Sequence, residues 1–349
     1  MAEIDTRYNE ANEIVKYKFL EQLEHSKDGK DPKTVDQYAR GIHEFEVATG
    51  FKDFKKFNHE WAIIFKEHLN DKKNKRTGKH ISKSLYFHYI AFVREFFQWL
   101  AKNNKDYAKI KEDDINYLYV TRNDKNKARA TNYQESHDVA DILSTIRKMP
   151  SDTEVEMRNQ AMVSLCLLTT PRISSLQTAT IKSIKYFKDY DIWSFIQDPR
   201  TQNTKNSKKI TAVFIGQSED IIQNVLKWRD CLIAQGFTDN EPLFPKIASS
   251  LTVEGDPIQL LTRDFIQSQS QIRGAIKTAF VNNDLPYRNP HSFRHSIARK
   301  MKLGENATAR LIALAENYGH KGGMSTLVAS YGGDYLKEQA EILKGFGLE

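Results

Sequence analysis

The chain has 349 residues, 40% hydrophobic and 28% charged, which is enough for two domains with cores of their own. Its formal net charge is +7 with a pI near 9.0, and that balance favours a polyanionic partner. No apolar run approaches a membrane span and the N-terminus is polar and acidic, so a transmembrane or secreted class is not expected and a cytoplasmic location is.

The first hundred residues read as helical. Ile14, Val15, Phe19 and Leu23 recur at helical spacing within Glu10 to Glu24. Val35, Tyr38, Ile42 and Phe45 form a second stripe, and Trp61, Ile64, Phe65 and Leu69 a third. Leu85, Tyr89, Phe92, Val93, Phe96 and Leu100 form the longest. Four stripes with short connections predict a compact helical domain over residues 1–115. Between the third and fourth helices lies a basic run with Lys72, Lys73, Lys75, Arg76 and Lys79, followed by Lys83. On charge alone this is a solvated loop. It also leads into a helix N-terminus, whose dipole and N–H groups attract phosphate, so these six residues are candidate DNA contacts.

Residues 116–134 lose apolar periodicity and gain Lys, Arg and Asn, which predicts a basic linker. The second domain is expected over residues 135–335. Helical patterns cover Asp138 to Lys148 and Glu154 to Leu168. Two strand-like runs follow, Ile192 to Ile196 and Ile210 to Ile215, joined by a polar turn. Ser218 is placed to cap a helix that Gly236 ends, and Ile247 to Pro257 reads as a loop insertion. Further helices are predicted over Gln271 to Phe280, Ser292 to Met301 and Ala307 to Glu316. Cys166 and Cys231 have no metal-type spacing and read as reduced core residues. Residues 336–349 form an amphipathic tail that either packs on its own domain or docks on a partner.

Five places in the second domain carry chemistry. Arg172 ends an apolar helix, where an unpaired guanidinium cannot stay buried. Lys205 sits in the polar turn between the two strands, with Lys208 and Lys209 as rivals. His291 and Arg294, three apart at a helix start, share one face that suits a phosphate. His320 follows a helix end, and Tyr331 lies near two glycines. Each alone has a bland explanation: an ion pair, a solvated turn, a helix start, a surface imidazole, a packed ring. The order Arg, Lys, His-x-x-Arg, His, Tyr is the signal.

That order resembles the catalytic domain of the tyrosine recombinases, the phage-type integrases. Thr170-Pro171-Arg172-Ile173-Ser174-Ser175-Leu176 is similar to the run that carries the family's first arginine. His291 to His295 matches its His-x-x-Arg-His, Tyr318-Gly319-His320 its Leu-Gly-His, and Tyr331 its nucleophile. Ser175 stands where the family usually has an acid, Pro171 where a glycine is common, and the interval from His320 to Tyr331 is longer than usual. Tyr335 is therefore the main rival nucleophile and Tyr318 a poorer one. The first domain is similar to the family's helical core-binding domain at Thr34-x-x-x-Tyr38 and from Ser84 to Leu100.

The resemblance implies a mainly α protein with a small β-sheet, made of a helical core-binding domain and a mixed α/β catalytic domain. It implies a site-specific recombinase of a mobile element. Tyr331 would form a 3′-phosphotyrosyl bond, Arg172 and Arg294 would clamp the phosphate, and Lys205 would protonate the leaving oxygen. His291 would help remove the tyrosine proton and His320 would hydrogen-bond the phosphate. The implied partners are double-stranded DNA carrying a specific site and further copies of the chain in a tetramer, with no cofactor and no metal. A type IB-like topoisomerase and a catalytically impaired DNA-binding protein are the alternatives on the same fold.

Overall fold

The computed structural model describes residues 8–124, 135–202, 204, 208–216, 218–302, 306–320, 322, 323 and 325. Lys205, Tyr331, Tyr335, residues 125–134 of the expected linker and the tail 336–349 lie outside them. The chain divides into two compact units, Met1–Asn132 and Tyr133–Glu349.

The first unit is built on α1 (Glu10–His25), α2 (Pro32–Thr49), α3 (His59–Asp71) and α4 (Lys83–Asn103), with a short α5 (Glu112–Ile115). Capping starts each of the four long helices: Asn9, Asp31, Asn58 and Ser82 all accept a backbone N–H with their side chains. Phe45 is fully buried and meets Phe65 at 5.2 Å and Phe97 at 5.1 Å, both edge-on. Such ring pairs add geometric preference to the area they bury. Ile14 and Ile64, expected inside the stripes, are 51% and 41% exposed. Neighbouring helical residues point about 100° apart, so α1 buries Val15 and Phe19 and α3 buries Trp61, Phe65 and Leu69. The core takes in Leu118, within the stretch expected to be linker.

The second unit surrounds one helix. After α6 (Val139–Arg147), α7 (Glu154–Thr169) opens with a Thr153–Glu156 capping box and is buried without a break from Ala161 to Thr169. A helix covered on all sides is a core element, and the helices that follow complete the unit. They are α8 (Ile173–Gln177), α9 (Glu219–Ala234), α10 (Ser270–Val281), α11 (Ser292–Met301) and α12 (Ala307–Asn317). Cys166 is buried within α7, where desolvation pushes its thiol up to about 12. Ser218 does stand at the N-cap of α9, but its side chain makes no capping bond.

One sheet is three-stranded and antiparallel, in the order β1 (Ile184–Phe187), β2 (Ile192–Gln197), β3 (Ile210–Val213). Gln197 pairs with Ile210, and Lys205 falls in the sequence between these two strands. Residues 247–257 are not a loop insertion. They belong to a second antiparallel pair, β4 (Pro245–Leu251) and β5 (Pro257–Phe265). The ribbon's outer half is exposed on both faces, so the sequence lacks the apolar–polar alternation that marks a half-buried strand. No helix among the described residues is long and apolar enough to cross a membrane.

Candidate active site

Four segments of the second unit converge. The first is the end of α7. Thr170 takes the left-handed conformation, φ 43° and ψ 51°, which a β-branched residue rarely adopts. The reversal turns the chain through Pro171 and sets Arg172 at the N-cap of α8. Ser175, one turn on, is buried.

The second segment is the start of α11. His291 occupies its N-cap with helical dihedrals, so the three-residue spacing to Arg294 keeps its helical meaning. Arg294 is only 2% exposed. Its Nε donates to the Thr170 carbonyl oxygen at 2.8 Å. The same guanidinium lies 4.4 Å from the centre of the Tyr318 ring, a cation–π contact. The strained turn that presents Arg172 therefore also holds Arg294.

The third segment is the end of α12. Tyr318 is fully buried and donates its hydroxyl to the Arg294 carbonyl oxygen at 3.2 Å. Tyr318 is thus the floor beneath the arginine, with its hydroxyl buried and engaged. Gly319 follows with φ 65°, and a Cβ there would stand 2.5 Å from Ile210 Cδ1. Glycine is required on both counts. The turn delivers His320, which is buried and meets Tyr318 edge-on at 5.5 Å.

The fourth segment is β3. Its Val213 N–H donates to Asn317 Oδ1 at 2.9 Å, and Asn317 Nδ2 returns a bond to the Val213 carbonyl oxygen at 2.8 Å. This two-bond bracket ties the end of α12 to the strand that follows the Lys205 loop. Lys208 and Lys209, just before that strand, are exposed.

Electrostatics define the centre. The His291 ring is depressed to about 4, by desolvation first and then by the positive fields of Arg294, His295, Arg172 and His320. The residue as a whole is solvent-exposed, so the crowding acts on the imidazole side facing its neighbours. His291 is accordingly neutral at physiological pH and able to accept a proton. Arg172, Arg294, His291 and His320 are one cluster. Among the described residues no group of His, Cys, Asp and Glu could hold a metal ion.

The basic candidates of the first unit lie on a small hairpin. Lys73 bridges to His80, Asn74 N–H donates to the Lys79 carbonyl oxygen at 2.7 Å, and Gly78 turns the chain at φ 66°. Lys73, Lys75, Arg76 and Lys79 are exposed on it, and so is Lys83 at the start of α4, with its ammonium over the Tyr86 ring. Lys72 differs, because it pairs with Glu44 at 2.8 Å. Burial alone would raise the Glu44 carboxyl, but hydrogen bonds from Lys72 and His68 hold it below its ordinary value.

Sequence reasoning did not find the Thr170 carbonyl, the support role of Tyr318 or the Asn317 bracket. The first two concern residues inside recognised motifs, but their partners are remote in the chain. Nothing local to Asn317 points to Val213.

The profile of the phage integrase family matches residues 132–331, more than half of the chain. The chain belongs to the phage integrase family, the tyrosine recombinase class. Solved structures share the fold. The XerH site-specific recombinase in a post-cleavage complex with a palindromic difH substrate is 17% identical, with a TM-score of 0.59, over 89% of this chain and 79% of that one. A lambda integrase tetramer bound to a Holliday junction is 12% identical, with a TM-score of 0.56, over 91% and 80%. The Tn1549 transposon integrase with circular intermediate DNA is 16% identical, with a TM-score of 0.54, over 94% and 98%. No curated protein sequence matches the chain significantly.

Proposed function

We propose that this chain is a site-specific DNA recombinase, an integrase of a mobile genetic element. It breaks and rejoins DNA through a 3′-phosphotyrosyl intermediate. The observation that carries this reading is the convergence of Arg172, His291, Arg294 and His320 around one point, with Arg294 already seated by Thr170 and Tyr318.

The residue types account for each step. Arg172 and Arg294 present planar donors to the two non-bridging oxygens of the scissile phosphate. Donors fixed before the reaction stabilise developing charge without reorganising. Tyr331 Oη attacks phosphorus and the bond from phosphorus to the 5′ oxygen breaks. Neutral His291 accepts the tyrosine proton, His320 donates a hydrogen bond to the phosphate, and Lys205 protonates the leaving 5′ oxygen. One phosphodiester is exchanged for another, so a 5′ hydroxyl from a second strand reverses the step without ATP.

The partner is double-stranded DNA carrying a specific site, on which the chain assembles as a tetramer. The XerH, lambda and Tn1549 proteins were each solved on DNA, which supports the same partner here. The exposed cations Lys73, Lys75, Arg76, Lys79 and Lys83 supply phosphate contacts that position the first unit. Lys72 contributes less, because Glu44 occupies it.

The test is covalent trapping. A duplex selected from a random library by the wild-type protein is rebuilt with a nick beside the cleavage position, so that religation fails. Wild type should leave a protein–DNA adduct on a denaturing gel, Tyr331→Phe none, and Tyr335→Phe an adduct. No adduct from wild type on a selected site refutes the reading.

A further inference from the structure

The β4–β5 ribbon is mounted firmly at its base and bare at its tip. At the base, Gln271 brackets Ile247. Its Oε1 accepts the Ile247 N–H at 3.3 Å, and its Nε2 donates to the Ile247 carbonyl oxygen at 3.2 Å. On the other strand, Arg263 pairs with Glu241 at 2.8 Å and donates to the Gln235 and Gly236 carbonyl oxygens. Leu261 packs against the core. Beyond Ile247 the ribbon runs on for roughly 13 Å at the usual rise per residue. A tight turn closes it, with Thr252 N–H donating to the Asp256 carbonyl oxygen at 2.8 Å and Gly255 at φ 90°.

The outer half exposes apolar side chains that a free surface does not need. Leu251 is 67% exposed, Val253 fully so, and Leu260 and Ile258 are 47% and 38% exposed. A two-stranded ribbon without a covering layer is marginal in water. Apolar side chains gathered at the end of an anchored arm mark a contact surface.

Charge decides which contact. The chain carries 52 Lys and Arg, yet residues 249–260 contain none, and they hold Glu254 and Asp256. An acidic tip is repelled by phosphates, which weighs against DNA as its seat. A second copy of this chain exposes Arg273 and Lys277 on one face of α10, a complementary basic surface.

We infer that the β4–β5 tip is a protomer–protomer contact, docking on a positively charged face of a neighbouring copy when the chain assembles on DNA. This rests on the recombinase reading, and it says which surface joins the copies. The arm acts as a coupling element. Two protomers on adjacent half-sites bind more tightly than the same two apart.

The test compares a selected half-site with a duplex carrying two inverted copies of it, by gel shift at fixed salt. The variants are Leu251→Ser with Val253→Ser, and separately Glu254→Lys with Asp256→Lys. All four positions are exposed, so melting should match wild type. Half-site affinity should stay within about twofold, while cooperativity on the paired site falls at least about fivefold. An equal loss on the half-site would make the tip a DNA contact, and unchanged cooperativity would make it idle. Either overturns the inference, as does wild-type binding without cooperativity. Covalent trapping separates the two claims. An intact adduct with unchanged cooperativity sinks only the arm, whereas failure of wild type to bind any selected duplex sinks both.

Discussion

Gly319→Ala should be strongly destabilising for a change of a single methyl group. The added Cβ meets Ile210 Cδ1 at 2.5 Å and Cγ1 at 2.8 Å, both closer than real carbon contacts. Ile210 is 5% exposed, so its side chain has little room to withdraw. Overpacking of this kind costs about 1–3 kcal/mol. Alanine at φ 65° adds about 1–2 kcal/mol of backbone strain. Together the loss is roughly 2–5 kcal/mol, which for a domain of this size lowers Tm by roughly 5–15 °C. Urea unfolding of wild type, Gly319→Ala, Ile210→Val and the double variant measures both parts. Ile210→Val removes Cδ1 but keeps Cγ1 at 2.8 Å, so the double variant should recover part of the steric share and none of the backbone share, a coupling of about 1 kcal/mol. Additive losses, or a Gly319→Ala cost below about 1 kcal/mol, would falsify the close approach of β3 to this turn.

Tyr318→Phe keeps the ring under Arg294 but leaves the Arg294 carbonyl without that hydroxyl, so stability should fall by about 1 kcal/mol while covalent trapping persists. Loss of trapping with folding intact would restore Tyr318 as a nucleophile. His291, held down to about 4, should titrate by NMR well below its ordinary value. The sign follows from proton counting. The unfolded chain binds this proton near pH 6.5 and the folded chain only near 4, so stability is full above that window and falls as pH drops through it. A midpoint near 6.5 in the DNA-free protein would refute the crowding. Replacing Lys73, Arg76 or Lys79 with Gln should each reduce the salt dependence of DNA binding by about one counterion. Lys72→Gln should instead act mainly on stability through Glu44, and a salt-slope change equal to the others would contradict that.

The helical skeleton was legible because burial on one side writes a 3.6-residue period, and the stripes through Phe45, Phe65 and Phe96 mark the core. Where a helix is buried all round, as in α7, there is no period, and only length and capping identify it. The β4–β5 ribbon was missed for the opposite reason, since its outer half is exposed on both faces. Arg172, His291, Arg294 and His320 were legible as motifs because chemistry restricts residue type at each place. What holds them was not legible. The Arg294–Thr170 bond joins residues 124 apart, and no local pattern encodes a backbone carbonyl as a partner. The place of Tyr318 under Arg294 was not legible either, because a tyrosine's residue type says nothing of whether its hydroxyl faces solvent or a buried carbonyl.

Those long separations carry a consequence for synthesis. The bonds from Arg294 to Thr170 and between Val213 and Asn317 span 124 and 104 residues. The Thr170 carbonyl waits for Arg294 and the Val213 backbone waits for Asn317, so neither bracket closes until α11 and α12 have been made. A chain truncated before α12 keeps Arg172, His291 and Arg294 but lacks Tyr318 beneath Arg294 and the turn that carries His320. The two brackets thus bring Arg172, His291, Arg294 and His320 together only after α12 has been synthesised, an order of assembly written into the chain itself.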